Sequence, residues 1–162
     1  MRMKENRVDI YKVLTTDETL LRLLYYKPEN ENDDPLDSTK DDILDMDEED
    51  KWTIIEDRIK KTPKVDDLDK EPKCRLLFYM GRRSKTNNYL YAGQIVVFDV
   101  LVHFDFEEVG MRESAICDRV NDLMSNSRVT GIGKVNFEGG DQISAPEAYT
   151  GYRLMYSIGS AS

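Results

Sequence analysis

The segment that decides the fold is Gln94–Phe106, which reads QIVVFDVLVHFDF. After Gln94, every second position is Val or Phe, namely Val96, Phe98, Val100, Val102, Phe104 and Phe106. Successive side chains of a β-strand point to opposite faces, so the pattern predicts one long strand, Tyr89–Phe106, with a fully apolar face. The other face is mixed, because it carries Asp99 and His103.

A second strand is predicted just before this one. Leu76, Phe78 and Met80 alternate after Cys74, and Gly81–Asn88 then supplies a turn, so the two strands form an antiparallel hairpin. The turn is basic, and its three cationic residues are Arg82, Arg83 and Lys85.

Helices are predicted on both sides of this hairpin. Asn6–Tyr26 has apolar residues at helical spacing and is expected to form two helices, with Thr16 as the cap of the second. Glu48–Ile59 is expected to be a short helix or turn. After the hairpin, Met111–Asn126 predicts a helix whose apolar stripe comprises Ile116, Val120, Leu123 and Met124.

The chain closes with extended structure. Arg128–Phe137 reads as a Gly-broken extended segment, Gly139 and Gly140 open a loop, and Tyr149–Ile158 alternates as a final strand. The order is α-α-(acidic insert)-β-β-α-β-β. We therefore expect a single α+β domain over residues 1–162, with one mainly antiparallel sheet of about four strands packed against helices.

Charge is concentrated in one stretch of the chain. The whole protein of 162 residues has a net charge of -9, and residues 29–50 alone carry twelve acids and one Lys. The remaining chain is nearly neutral, so residues 27–50 are predicted to be a flexible acidic insert. The acidic balance disfavours a duplex-binding surface, and no apolar run is long enough to span a membrane, so a protein that is soluble and intracellular where it is made is expected.

The sequence predicts no catalytic residue, cofactor or metal. His103 is the only histidine, which leaves no His-rich metal arrangement, and no nucleophile has a recognisable setting beside it, so a structural or interface role is favoured. Cys74 and Cys117 are too few for a disulfide framework and are expected to be reduced. Gly131 and Gly133 lack the remaining residues of a nucleotide-binding loop, and a strand bulge or turn explains them better.

Two segments resemble metal-dependent motifs. Asn30, Asn32 and Asp34 follow the spacing of a calcium loop, but Pro35 replaces the required glycine, which favours a solvated loop. Glu71-Pro72-Lys73, preceded by three aspartates, superficially matches a nuclease motif. Pro72 disfavours the central strand that this motif needs, so a metal-dependent nuclease is the weaker alternative.

For the basic turn that contains Arg82, Arg83 and Lys85, we expect contact with a protein partner rather than with nucleic acid. The basic tip is flanked by tyrosines, as in many protein interfaces, and the long strand offers a mixed face. The candidate subunit or partner interface therefore comprises Arg82, Arg83, Lys85, Ile95, Val97, Leu101 and Arg153.

The order of elements, and the closing segment Ala148–Ser157 with aromatic residues around Arg153, resembles the tail-terminator or tail-to-head joining proteins of long-tailed bacteriophages. The resemblance covers roughly residues 8–26 and 74–158, and the acidic insert is longer than in a minimal member. It implies a non-enzymatic structural protein that forms a ring, usually hexameric, which caps the tail tube and joins it to the head connector.

Further expectations follow from that resemblance. The partners would be other copies of the chain, the tail tube protein and the connector protein, and DNA would pass through the channel without specific binding. The protein would be found in the virion tail or neck, and in the host cytoplasm during assembly. The alternative function is that of another phage neck or head-completion adaptor. A monomeric adaptor or immunity-type binding module is the rival from a different class, beside the nuclease.

Overall fold

A computed structural model describes residues 3–85, 92–125 and 135–158 of the chain. The α-helices in these ranges are α1 (Met3–Thr15), α2 (Glu18–Tyr25), α3 (Glu48–Arg58), α4 (Phe104–Gly110) and α5 (Arg112–Ser125). The strands are β1 (Ile59–Lys60), β2 (Cys74–Lys85), β3 (Ala92–His103), β4 (Val135–Ile143) and β5 (Tyr149–Ile158), and a 3-10 turn covers Ile43–Asp45.

The described strands form one five-stranded sheet in the order β1-β2-β3-β5-β4. β1 runs parallel to β2, and the other neighbours are antiparallel. The predicted α+β class is confirmed, although the sheet has one strand more than expected and is mixed. The extra strand escaped prediction because Ile59–Lys60 is only two residues long and follows α3 without a break, so it shows no periodicity.

The long strand ends earlier than predicted. β3 stops at His103, and the prediction that Phe104 and Phe106 belong to it was wrong, because both lie in α4. The His103 side chain accepts a hydrogen bond of 3.0 Å from the backbone N–H of Asp105 and so caps this helix. Phe106 is buried, whereas Phe104 is 46% exposed.

The basic segment after Met80 is also placed differently. Arg82 and Arg83 do not lie in a turn, because β2 continues to Lys85, with a register irregularity between Met80 and Arg83. The buried side-chain amide of Gln94 donates to the carbonyl oxygen of Gly81 at 3.1 Å, which satisfies the backbone at this irregularity. Tyr89 and Tyr91, and the side chain of Lys85, lie outside the described residues.

Gly139 and Gly140 lie inside a strand rather than in the predicted loop. β4 covers them, with a register irregularity between Phe137 and Gly139, where Gly139 adopts φ +152. A Cβ at Gly140 would lie 2.9 Å from the Tyr152 ring, so only glycine fits this close approach. The predicted extended segment 128–137 is described only from Val135, and Gly131 and Gly133 lie outside the described residues.

The five described α-helices pack on one face of the sheet, where their buried residues form the main core. The predicted apolar stripe of α5 is confirmed, since Ile116, Val120, Leu123 and Met124 are buried. It meets the apolar face of the sheet, which contains Val96, Phe98, Val100 and Val102 from β3 and Leu154, Tyr156 and Ile158 from β5. Burying each such side chain stabilises the fold by about 1.5–3 kcal/mol.

The two N-terminal helices form as predicted, but the cap residue differs. Asp17, not Thr16, caps α2, because its carboxylate accepts a 2.9 Å hydrogen bond from the N–H of Leu20. The same carboxylate receives two hydrogen bonds, of 2.8 and 2.6 Å, from Arg119 of α5. Asp17 therefore links the cap to the helix packed beside it. The Thr16 hydroxyl instead donates to the carbonyl of Lys12.

The acidic insert is built from turns and the 3-10 helix, and Arg22 of α2 holds it. The Arg22 guanidinium, nearly buried, donates to the carbonyl oxygens of Asp37 at 2.9 Å and Lys40 at 3.0 Å and also pairs with Asp42. Ile43 is completely buried in the main core. That residues 1–162 form one domain with a flexible insert stays a prediction. In the described residues, no helix combines the length and apolar character that a membrane crossing requires.

Replacing Asp17 with Ala tests the observed cap. We expect Asp17→Ala to lower the free energy of unfolding by about 1–2 kcal/mol, because α2 loses its cap and Arg119 loses its partner. Urea titration followed by far-UV circular dichroism measures the change. Thr16→Ala is the matched control and is expected to cost about 0.5 kcal/mol or less. Equal losses in the two variants would contradict the assignment of the cap.

Candidate functional site

The sheet face away from the helices carries buried polar groups, which makes it the candidate site. Strand alternation places there Arg75, Leu77 and Tyr79 of β2, Val97, Asp99 and Leu101 of β3, and Arg153 of β5. We call this surface the outer face. Asp99 and Arg153 are direct partners across β3 and β5, and Leu77 is opposite Asp99 on β2.

Asp99, Arg153 and Tyr79 form a closed hydrogen-bonded trio. Arg153 donates from Nε to Asp99 Oδ1 at 2.7 Å and from Nη2 to Asp99 Oδ2 at 3.0 Å. The Tyr79 hydroxyl donates to Asp99 Oδ2 at 2.6 Å and accepts from Arg153 at 3.0 Å. The fork of the guanidinium matches both carboxylate oxygens, which gives the pair one fixed geometry.

Burial and the neighbouring charges shift the pKa values of two members of this trio. Burial and the hydrogen bond to Asp99 raise the pKa of Tyr79 to about 12, and the same carboxylate raises the pKa of Arg153. Asp99 is only 4% exposed, and a buried carboxylate is costly unless it is paired. Arg153 and Tyr79 stabilise its negative charge through their hydrogen bonds. The Arg153 side chain is 38% exposed. The trio thus presents one fixed positive group at the surface, and both Asp99 oxygens are already occupied.

A groove of about 600 Å³ lies next to this trio. Its floor is Leu77 and Leu101, one wall is formed by Pro63 and Val65, and the opposite wall comes from residues 143–146. Gly151 makes the approach of the second wall possible: a Cβ there would lie 2.9 Å from Ile143 Cγ1 and 3.1 Å from Leu101 Cδ2. The groove therefore combines an apolar floor with a guanidinium at its edge.

A second polar cluster lies at the start of β2, beneath the loop that follows β1. Arg75 is completely buried and donates to Asp67 Oδ1 at 2.6 Å and to Asp57 Oδ1 at 3.0 Å. Lys73 donates to both oxygens of Asp57 at 3.0 and 2.9 Å and contacts Glu71 at 3.3 Å. Two cations thus meet two aspartates on the inside of the loop and hold it against the sheet.

The pKa shifts in this cluster show how strongly the charges are coupled. The hydrogen bond from Arg75 holds the pKa of Asp67 far below its usual range. Burial would raise the pKa of Asp57, but the hydrogen bond from Lys73 and the positive charges around it more than offset that, and the pKa is lowered. Both aspartates are therefore ionised at neutral pH and stabilise the fold.

The residues of the nuclease alternative do not converge on an ion site. Lys73 and Arg75 neutralise the nearby aspartates, and the Glu71 side chain is 63% exposed. Across the described ranges, no three His, Cys, Asp or Glu side chains are grouped so that they could hold a metal. In the segment that has the spacing of a calcium loop, Asn30 and Asp34 accept hydrogen bonds from the backbone N–H groups of Asn32 and Leu36. These side chains act as turn formers.

Histidine and cysteine have structural positions. His103 caps α4 and packs edge-on against the Tyr149 ring, with the two centroids 5.0 Å apart. Cys74 and Cys117 are not joined by a disulfide, and burial raises the pKa of each thiol to about 12. Thiols with such a pKa are protonated at neutral pH and weakly nucleophilic.

The structure brings together only part of the predicted interface. Arg153 lies beside the groove, and Leu101 is its floor, only 2% exposed inside the chain. Val97 is also buried, and Ile95 is half-buried further along β3, close to Gly81. Arg82 and Arg83 are exposed near the far end of β2.

Asp99 is the residue that sequence reasoning missed as a partner of Arg153. The available signal was a single acid inside the apolar run of β3. A buried carboxylate in a central strand needs a cation opposite it. Tyr79 had no comparable signal, because its role depends on the register between β2 and β3.

The fold and the outer face define an α+β protein with helices on one side of a mixed sheet and a polar-edged groove on the other. The chain belongs to the YomW family, whose model matches residues 17–158. It is 29% identical to the SPbeta prophage-derived uncharacterized protein YomW of Bacillus subtilis (strain 168) over 167 aligned positions. The aligned positions cover 97% of this chain and 96% of the relative. Because that relative is prophage-derived, the family is a phage-derived one.

Asp67 provides a prediction on pH dependence. We expect Asp67→Asn to lower the free energy of unfolding at neutral pH by about 2 kcal/mol, because Arg75 loses a charged partner. A carboxyl whose pKa is lowered by folding stabilises fully above its unfolded pKa of about 4 and loses that contribution as the pH falls towards the folded value. Stability measured by urea unfolding should therefore decline less steeply on acidification in the variant.

The matched control for this experiment is Asp69→Asn, which changes a neighbouring exposed aspartate. It should keep the acid dependence of the unmodified protein. If Asp67→Asn showed the same acid dependence as Asp69→Asn, the coupling between Asp67 and Arg75 would be refuted.

The trio on the outer face provides a second prediction. Arg153→Met should lower the free energy of unfolding by about 3 kcal/mol, because the Asp99 carboxylate stays buried without its cation. Adding Asp99→Asn removes that charge and should recover part of the loss, whereas Tyr79→Phe alone should cost about 1 kcal/mol. Thermal and urea unfolding of the three variants measure these differences. A double variant less stable than Arg153→Met alone would argue against a charge-based explanation.

Proposed function

We propose that the protein is a non-enzymatic structural subunit of a bacteriophage tail or neck, of the tail-terminator type. In this role it forms a ring, hexameric in the simplest case, that caps the tail tube and joins it to the head connector. The observation that carries the proposal is the prophage-derived relative, because the alignment spans nearly the whole of both chains. The element order, which resembles that of tail terminators, supports the specific role.

The surface of the chain supports self-association. A ring of identical subunits needs heterologous contacts, in which one patch meets a different patch of the neighbour. The outer face offers the groove with Arg153 at its edge, and β2 carries Arg82 and Arg83. The acidic insert supplies opposite charge at another place on the same chain. We infer that Arg82, Arg83 and Lys85 face acidic residues of a neighbouring subunit or an adjoining ring.

The charge distribution also suits the proposed partners. One side of the ring would bind the tail tube protein and the other the connector protein, while DNA passes through the centre without specific binding. A surface rich in Asp and Glu, such as residues 29–50, repels the phosphate backbone and would let the duplex slide. The protein would then reside in the virion tail or neck, after assembly in the host cytoplasm.

Assembly state and tube capping test this proposal. The purified protein, alone and mixed with the tail tube protein of the same phage, is analysed by light scattering and by negative-stain electron microscopy. We expect annular particles or rings at tube ends, and tubes that stop growing when the protein is added. Arg82→Glu/Arg83→Glu/Lys85→Glu should weaken assembly, most strongly at low salt, because like charges then face each other.

A variant with reversed charges elsewhere is the control. Lys64→Glu/Lys70→Glu changes two exposed lysines away from the far end of β2 and outside the acidic insert, and it should leave assembly unchanged. A protein that stays monomeric and leaves tube growth unaffected would refute the terminator role. Binding of one copy to the connector without a ring would instead identify a neck or head-completion adaptor.

A further inference from the structure

A groove separate from the outer face runs along α1. It measures about 680 Å³, and residues from α1 and the segment after β1 line it. Its cationic members are Lys4, Arg7, Lys12 and Lys61, and its exposed apolar members are Met3 and Val8. We call it the α1 groove. Four positive charges around an apolar centre are unusual in a protein whose net charge is -9.

The walls of the α1 groove are held in place by contacts within the chain. Arg7 donates from Nη2 to the carbonyl oxygen of Lys61 at 2.7 Å, and the Lys61 ammonium lies 4.7 Å above the centre of the Tyr11 ring. The Tyr11 ring in turn stacks on Phe78 of the core. The cationic wall is therefore connected to β2 and is preformed for a partner.

The apolar centre of this groove is exposed to solvent. Val8 is 43% exposed and Met3 is 38% exposed, and both lie on the helix face that carries the cations. No Asp or Glu is among the residues that line the groove within the described chain, although Glu56 lies close enough to influence Tyr11. Such a surface fits a segment that has an apolar side chain flanked by carboxylates.

The acidic insert contains a segment with this chemistry. Residues 34–37 read Asp-Pro-Leu-Asp, and Leu36 is 46% exposed between two acids. The segment is held in shape, since Asp34 Oδ1 accepts a 2.9 Å hydrogen bond from the N–H of Leu36 and Arg22 binds the carbonyls of Pro35 and Asp37. We call residues 34–37 the acidic tip. Its preformed shape lowers the entropy cost of docking.

We propose that the α1 groove of one copy receives the acidic tip of a second copy. Leu36 would cover Met3 and Val8, while Asp34 and Asp37 would meet the surrounding lysines. This inference rests on the proposed ring, because it names one contact between neighbouring subunits. A net charge of -11 in residues 29–50 against a cationic groove supports another copy of this chain as the partner.

Within one copy the acidic tip does not line the α1 groove, and the two surfaces are held by different parts of the fold. The groove lies beside Lys61, directly after β1, and none of its lining residues belongs to the insert. The insert is instead tied to Arg22 of α2, and Lys27 just before it pairs with Asp105 of α4 at 3.1 Å. A patch on one copy that binds a different patch on the next gives a head-to-tail contact, which closes into a ring or continues as a filament.

Site-specific crosslinking tests this contact in the full-length protein. A photoreactive benzoylphenylalanine replaces Val8, copies with two different affinity tags are mixed, and crosslinked peptides between tags are identified by mass spectrometry. We expect crosslinks from position 8 to residues 29–50 of the other copy. Lys4→Glu/Lys12→Glu and, separately, Asp34→Lys/Asp37→Lys should each reduce the crosslink yield about tenfold, through like-charge repulsion.

Mixing the two charge-reversed variants is the decisive step. The reversed groove of one variant complements the reversed tip of the other, so the mixture should regain crosslinks that neither variant forms alone. Lys64→Glu/Lys70→Glu changes two exposed lysines outside the groove and the insert; it is the control and should leave the yield unchanged. Circular dichroism shows whether each variant is folded. If a charge-reversed variant does not fold, the inference is tested by the crosslinks of the protein that carries only benzoylphenylalanine at position 8.

Three outcomes would overturn the inference. The first two are that no crosslink forms between copies, or that the crosslinks fall outside residues 29–50. The third is that the protein retards duplex DNA in a gel-shift assay and that Lys4→Glu/Lys12→Glu abolishes this binding, because the groove would then be a DNA-binding surface. Failure here is distinguishable from failure of the proposed function. Rings at tube ends with crosslinks elsewhere would refute only this contact. Crosslinks to residues 29–50 without rings or tube capping would refute only the terminator role.

Discussion

The structure depends on the central position of β3. This strand pairs with β2 on one side and with β5 on the other, so its backbone hydrogen bonds are satisfied inside the sheet. The side chains on its two faces need different surroundings. Val96, Phe98 and the valines after them are covered by helices, whereas Asp99 on the opposite face needs a charged partner. Arg153 of β5 meets that need because the register places it directly opposite.

The outer face follows from this requirement. The trio fixes the Arg153 guanidinium at the surface, and Gly151, two residues earlier on β5, lets Ile143 approach Leu101. The Arg75 cluster holds the neighbouring loop against the same face. The result is a rigid groove with a charged edge, and its ionic groups are already occupied by one another. That geometry suits contact with a protein surface, which the proposed role as a structural subunit would require.

Separation of charge connects the fold to the proposed assembly. The acidic insert is anchored through Arg22 and through the buried Ile43, while the cations of α1 are grouped beside Lys61. Because these two surfaces lie on different elements, complementary charge is available to a neighbouring copy rather than to the same chain. The net charge of -9 is therefore the sum over a chain that has a negative surface on the acidic insert and a positive surface at the α1 groove.

Alternation and helical spacing were enough to predict the α+β class, the closing strand Tyr149–Ile158, the stripe of α5 and the two N-terminal helices, because burial of apolar side chains decides them locally. Arg153 was recognised as a candidate, but its partners were not.

Only the tertiary structure decided that His103 ends β3, that Asp17 rather than Thr16 caps α2, and that Asp99 meets Arg153. Each depends on which side chains are brought together by strand register and helix packing. The sequence by itself determined which faces are apolar. Pairing between distant segments is a property of the folded chain, and it alone decided which polar groups share a site.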